Sequence, residues 1–130
     1  QCQVVLDIVS KHCNIKGMTE GDRRRCELRA QMFKALAHPL RIYMLEKLKT
    51  RSYCVCELAE AVGVDKSVAS KHLSQLKAAG LVDDEKRGTQ VTYRLIAPCV
   101  LELAACAEGT VLANRKKKLE LSNPATMQER

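Results

Sequence analysis

The sequence predicts a mainly α-helical domain with one small β-hairpin, and three observations lead there. Val55, Leu58 and Val62 fall at i, i+3 and i+7, the apolar stripe of a short helix. Gly63-Val64-Asp65 then supplies a turn: glycine takes positive φ at little cost and stops a helix, and aspartate is a favoured N-cap that can accept from the first unpaired N–H groups. Beyond it, Ala69, Leu73 and Leu76 make the stripe of a second helix ended by Gly80, and Val91, Tyr93 and Leu95 alternate with Thr92 and Arg94 as a half-buried strand. Two helices joined by a tight turn and followed by a hairpin make a winged helix-turn-helix.

The second helix leaves Lys66, Ser67, Ser70, Lys71, Ser74 and Gln75 on its outer face. Hydroxyl, amide and ammonium groups suit phosphates and base edges in a major groove. Lys86-Arg87-Gly88-Thr89-Gln90 is the tip of the hairpin, and Lys86 and Arg87 place two cations where a wing reaches flanking backbone. Asp83, Asp84 and Glu85 would repel phosphate, so they are expected to face away.

Upstream, residues 1–18 read as an N-terminal extension, with Met18 a candidate natural start and apolar spacing that permits a short helix. Thr19 and Asp22 form a capping box for a helix to about Ala37, with Leu28, Met32, Phe33 and Leu36 expected to be buried and Arg23, Arg24 and Arg25 on its wet side. Pro39, after His38, opens the next helix at a favoured first position, and Ile42, Leu45 and Leu48 are its stripe. Arg41 is read as a partner in a structural ion pair or as a phosphate contact, and His72 as a packing or hydrogen-bonding histidine. Ser52-Tyr53 should be a short extended link packed on the wing. Pro98 opens the last helix, where Val100, Leu103, Ala104, Ala107 and Val111 make a face that a chain this small cannot cover alone, so it is expected to be a homodimer seam. Arg115, Lys116, Lys117 and Lys118 are expected to end that helix and compensate its dipole. The DNA-binding and dimerisation domain is placed at 19–121, with a disordered tail at 122–130.

Length and composition agree with this division. The 130 residues allow one domain with a small core, and a net charge of +7 suits nucleic acid. No apolar run approaches membrane-spanning length, and residues 1–10 lack the basic n-region and cleavage site of a secretory leader. Seven cysteines, an odd number, argue against a closed disulfide framework and for ligand or redox thiols in a cytoplasmic protein. One Phe, three Tyr and no Trp argue against a stacking platform for single strands. No phosphate-cradling loop and no nucleophile paired with a general base suggests an enzyme.

FKALAHPLRIYMLEKL, then CVCELAEAVGVDKSVASKHLSQLKAAGLV, then KRGTQVTYRL resemble the ArsR/SmtB family of metal-responsive winged-helix repressors, closely over about Arg29 to Leu95. The resemblance implies a homodimer on double-stranded operator DNA that represses its own operon and leaves when an effector binds.

The thiols suggest the effector. Cys54 and Cys56 stand at a helix N-terminus beside Glu57, where the dipole favours thiolate, and thiolates choose soft metals and metalloids. The position resembles the site of the family's arsenic, antimony, lead and cadmium sensors. Two sulfurs are an incomplete site. Where some family members carry a third in the same helix, this chain has Ala59; others use an N-terminal arm, which would offer Cys2 or Cys13. Cys99 and Cys106, seven apart on the last helix, are preferred, because that helix is ordered by folding whereas an arm must be ordered on binding. Cys26, on an amphipathic helix, is read as an inert small hydrophobe, and His12 beside Cys13 is only a loose pair. The family's carboxylate and histidine zinc site on the last helix is not carried: Ala97, Cys99, Thr110 and Ala113 stand there. Arsenite or another soft thiophilic ion is therefore the expected effector, with a thiol redox or persulfide sensor of the same fold as the alternative.

Overall fold

The computed structural model describes residues 17–122. Cys2, His12, Cys13 and the expected tail from 123 onward lie outside the described residues. The chain divides into two compact units, residues 1–34 and 35–130.

Helix α1, Glu20–Leu36, begins as its capping box predicts: Asp22 N–H donates to Thr19 Oγ1 at 3.1 Å, and the Thr19 hydroxyl donates to Asp22 Oδ2 at 2.7 Å. Arg23 and Arg24 pair with Glu20 and Arg25 with Asp22, i,i+3 and i,i+4 contacts of the helix surface. The expected burial of its apolar face is corrected: no residue of α1 is buried, and Leu28 and Phe33 are 67% and 51% exposed. Spacing identifies an apolar face but cannot say whether the same chain covers it.

In the second unit, α2 (Pro39–Thr50) starts where Pro39 requires, and the His38 ring caps it, Nδ1 accepting from Leu40 N–H at 3.2 Å. Then come β1 (Tyr53–Cys54), α3 (Val55–Val62), α4 (Lys66–Ala78), β2 (Val82–Arg87), β3 (Gln90–Leu95) and α5 (Cys99–Ser122). Two glycines set the exits of α3 and α4. Gly63 (φ +74°) lets Val64 N–H reach back to the Ala59 carbonyl at 3.0 Å, and Gly80 (φ +77°) lets Leu81 N–H reach the Leu76 carbonyl at 3.1 Å. Both close a helix end by a bond that needs a left-handed residue.

The expected hairpin is one strand short of what forms. β1 pairs antiparallel with β3 (Tyr53 opposite Tyr93, Cys54 opposite Thr92), so the sheet has order β1-β3-β2. A two-residue strand carries too little periodicity to be seen as one, and the sequence shows it only as an extended link. The core gathers Met44, Leu45 and Leu48 from α2, Val55, Leu58 and Ala59 from α3, and Ala69, Leu73 and Leu76 from α4, closed by Leu81, Val82, Tyr93, Val100 and Leu101. α4 is thereby fixed on one side by α3 and on the other by the sheet, which leaves its opposite face outward. From residue 102 onward α5 is exposed throughout. It also runs past the cations meant to end it, so its last turn holds no basic residue. No helix among the described residues is long and apolar enough to cross a membrane.

Candidate nucleic-acid interface and thiol site

Ala69, Leu73 and Leu76 pin α4 to the core, and helical geometry then turns Lys66, Ser67, Ser70, Lys71, Ser74 and Gln75 to the surface, where all six are exposed. The Ser74 hydroxyl donates back to the Ser70 carbonyl at 2.9 Å, and Gln75 Oε1 accepts from Arg41. Arg41 Nε also donates to the Ala35 carbonyl at 2.5 Å, so the residue read as ion pair or phosphate contact bridges the end of α1 and the reading face. Asp65 is the N-cap residue of α4, yet its carboxylate makes no capping bond, contrary to expectation.

His72 lies on the inner edge of this helix, its ring 4.5 Å from that of His38. Its Nδ1 is buried without a hydrogen-bond partner, so it packs rather than bonds. Burial, then the neighbouring His38, Arg41 and Lys71, hold it below its ordinary pKa.

The wing turns through a two-residue loop, Gly88-Thr89, between Arg87 and Gln90, with Gly88 at φ +63°. Positive φ at the first loop position matches the twist of the flanking strands. Lys86 and Arg87 are exposed at its tip. The acidic run is paired rather than simply turned away. Asp83 takes Arg94 at 3.0 Å, Glu85 takes Arg87 at 3.0 Å, and Asp84 takes Lys77 at 2.6 Å. The last of these joins the reading helix to the wing. The Asp84 bond, and then its charge, raises the pKa of Lys77.

Cys54 closes β1 and is the N-cap of α3, its sulfur accepting from the Glu57 N–H while its own N–H donates to Glu57 Oε2 at 3.3 Å. That reciprocal cap stands in the sequence as Cys-x-x-Glu, but a thiol is not among the usual capping groups, so the spacing alone does not announce it. The Cys54 N–H first, and then Arg51, hold the Glu57 carboxyl below the usual range. Arg51 pairs with Glu57 at 3.4 Å and lies 3.7 Å over the Tyr53 ring. Cys54 is half-buried; Cys56, Cys99 and Cys106 are exposed. Among the described residues, one chain brings no three His, Cys, Asp or Glu groups into metal-binding range. The four cysteines are therefore not assembled into one site within the chain.

A core-pinned helix with an exposed polar face, a preceding helix-turn and a three-stranded wing define a winged helix-turn-helix DNA-binding domain. Residues 38–84 match the model of the bacterial regulatory protein, arsR family. An uncharacterized HTH-type transcriptional regulator of Mycobacterium tuberculosis, Rv0081, is 40% identical over 98 residues, 72% of this chain and 86% of that one. Its crystal structure superposes with a TM-score of 0.60 over 72% of this chain and 94% of its own, at 36% identity. The HTH-type transcriptional repressor SmtB of M. tuberculosis is 41% identical over 81 residues, 59% of this chain and 60% of that protein. Mb0332 of Mycobacterium bovis is described as a homodimeric winged helix-turn-helix DNA-binding domain and possible ArsR-family regulator. It aligns with a TM-score of 0.63 at 30% identity, over 82% of this chain and 94% of that structure. The chain belongs to the ArsR family of transcriptional regulators, and it is a regulator rather than an enzyme.

Proposed function

We propose that the chain is a cytoplasmic homodimeric repressor that holds duplex operator DNA and leaves it when an arsenite-class metalloid or another soft metal ion binds cysteine sulfur. One observation carries the reading: Cys54 is at once the strand residue opposite Thr92 of the wing and the N-cap of the helix that leads through Gly63 into the reading helix. A ligand that draws on Cys54 therefore acts on both DNA-facing elements, and an effector shifts an equilibrium only by binding one state better than the other.

Lys66, Ser67, Ser70, Lys71 and Ser74 enter the major groove in this reading, with Gln75 at the far end of the same DNA-facing surface and Lys86 and Arg87 on the flanking backbone. Cys54 and Cys56 supply soft donors of the right chemistry for such an ion. As a pair they are incomplete, and Cys99 or Cys106 supplies the further sulfur from α5, a helix that the dimer holds in place. Leu103, Ala104, Ala107 and Val111, exposed on α5, are the dimer seam; Val100, expected with them, is instead buried in the chain's own core.

A thiol redox or persulfide sensor of the same fold is the second reading. It is favoured by the absence, among the described residues, of a three-ligand group within one chain, since two cysteines suffice for it. The experiment is a titration of the reduced protein on an inverted-repeat promoter fragment with arsenite, lead, cadmium, zinc and polysulfide. Release by arsenite, lead or cadmium supports the metal reading, release by polysulfide alone supports the redox one, and binding no better than to random DNA refutes both.

A further inference from the structure

Arg41 and Gln75 stand 34 positions apart, yet Arg41 Nη1 donates to Gln75 Oε1 and Arg41 Nε donates to the Ala35 carbonyl. A guanidinium carries donors only, so the amide must turn its oxygen to Arg41, which leaves its NH2 group for other partners. What the pair offers to DNA is donors and positive charge. Adenine is read by an amide that also accepts from the base's N6 group, and an oxygen already facing a guanidinium is a poor acceptor for a base donor.

Position along the helix points the same way. Gln75 follows Lys66 by roughly nine residues, about 13–14 Å of helix rise. The major groove is about 12 Å wide, and the N-terminal residues of a reading helix are those that reach base edges. With Lys66 and Ser67 in the groove, Gln75 emerges at its rim, where the phosphates are. Burial first, then His38, and only then Arg41 and Lys71 lower the pKa of His72; the last two are cations on this same edge.

We infer that Arg41 and Gln75 form a phosphate clamp that sets the register of the reading helix on the operator and reads no base. The inference rests on the DNA-binding role proposed for α4, and its test separates the two. Sites are first selected from random duplexes by the wild-type full chain, by Gln75→Ala, by Arg41→Gln and by the charge-conserving Arg41→Lys. The selected wild-type site is then remade with a neutral methylphosphonate at each phosphate in turn. The expected result is one consensus for all four proteins. One phosphate per half-site should have a neutralisation that costs the wild type about tenfold in affinity and costs Arg41→Gln and Gln75→Ala almost nothing. Arg41→Gln should also lower the salt slope by about one per subunit. A changed base preference at one position in Gln75→Ala makes Gln75 a base reader and overturns the clamp. So does an Arg41→Gln protein as sensitive as the wild type at every phosphate. If the wild type selects no site, the repressor reading itself fails and the clamp with it.

Discussion

The residue scale turns on His72. Its Nδ1 is buried and unpartnered beside His38, so a proton there is disfavoured in the fold. With its folded pKa below the ordinary value of about 6.5, the unfolded chain binds the proton more tightly. Stability is therefore complete above that value and falls as pH drops below it toward the folded pKa. His72→Gln should flatten the acid limb of a urea-midpoint profile between pH 7 and 5, and an unchanged limb would show that other groups set it. The reading face around His72 was legible in sequence, because a 3.6-residue period assigns each side chain of α4 to core or surface. The Arg41 link to Gln75 was not legible, because contacts between distant positions leave no local pattern. The cap on Cys54 has capping-box spacing, but its thiol is not a usual capping group, so the sequence does not mark it as a cap.

At the scale of elements, the reading helix and the wing act as a unit because Lys77 and Asp84 join them 2.6 Å apart. Both groups are at least partly exposed, so the pair adds little stability. Its effect is on geometry: Asp84→Asn should leave the thermal midpoint nearly unchanged and weaken operator binding about two- to fivefold, the scale of a surface pair. Anisotropy titration beside a thermal melt checks it, and a variant that loses stability but not affinity would contradict it. Gly63, Gly80 and Gly88 announced the breaks between these elements, since each needs a positive φ that other residues resist. Tyr53–Cys54 did not announce itself as a strand, for a pairing that short is decided by β3 and not by its own residues. α5 continues past the cations at 115–118 to Ser122, because cations are favoured near a helix C-terminus but do not terminate it.

At the scale of the whole molecule, the sequence showed which helix faces are apolar but not what covers them. Val111 on α5 is 49% exposed in the single chain, as is much of that helix. A charge there should break the seam. Val111→Glu should sediment as a monomer at concentrations where the wild type is a dimer, and should lose the cooperative hold on an inverted repeat whose half-sites lie roughly 34–36 Å apart. A Val111→Glu protein that stays dimeric would place the seam elsewhere. Cys54 is joined both to the wing, opposite Thr92, and to the helix-turn, as the N-cap of α3. The most direct test is to titrate arsenite into operator complexes of the wild type and of the Cys54→Ser, Cys56→Ser double variant, following release by anisotropy. Both proteins should bind the operator equally well and only the wild type should be released; a double variant released at the same arsenite concentration would contradict a sensing role for Cys54 and Cys56.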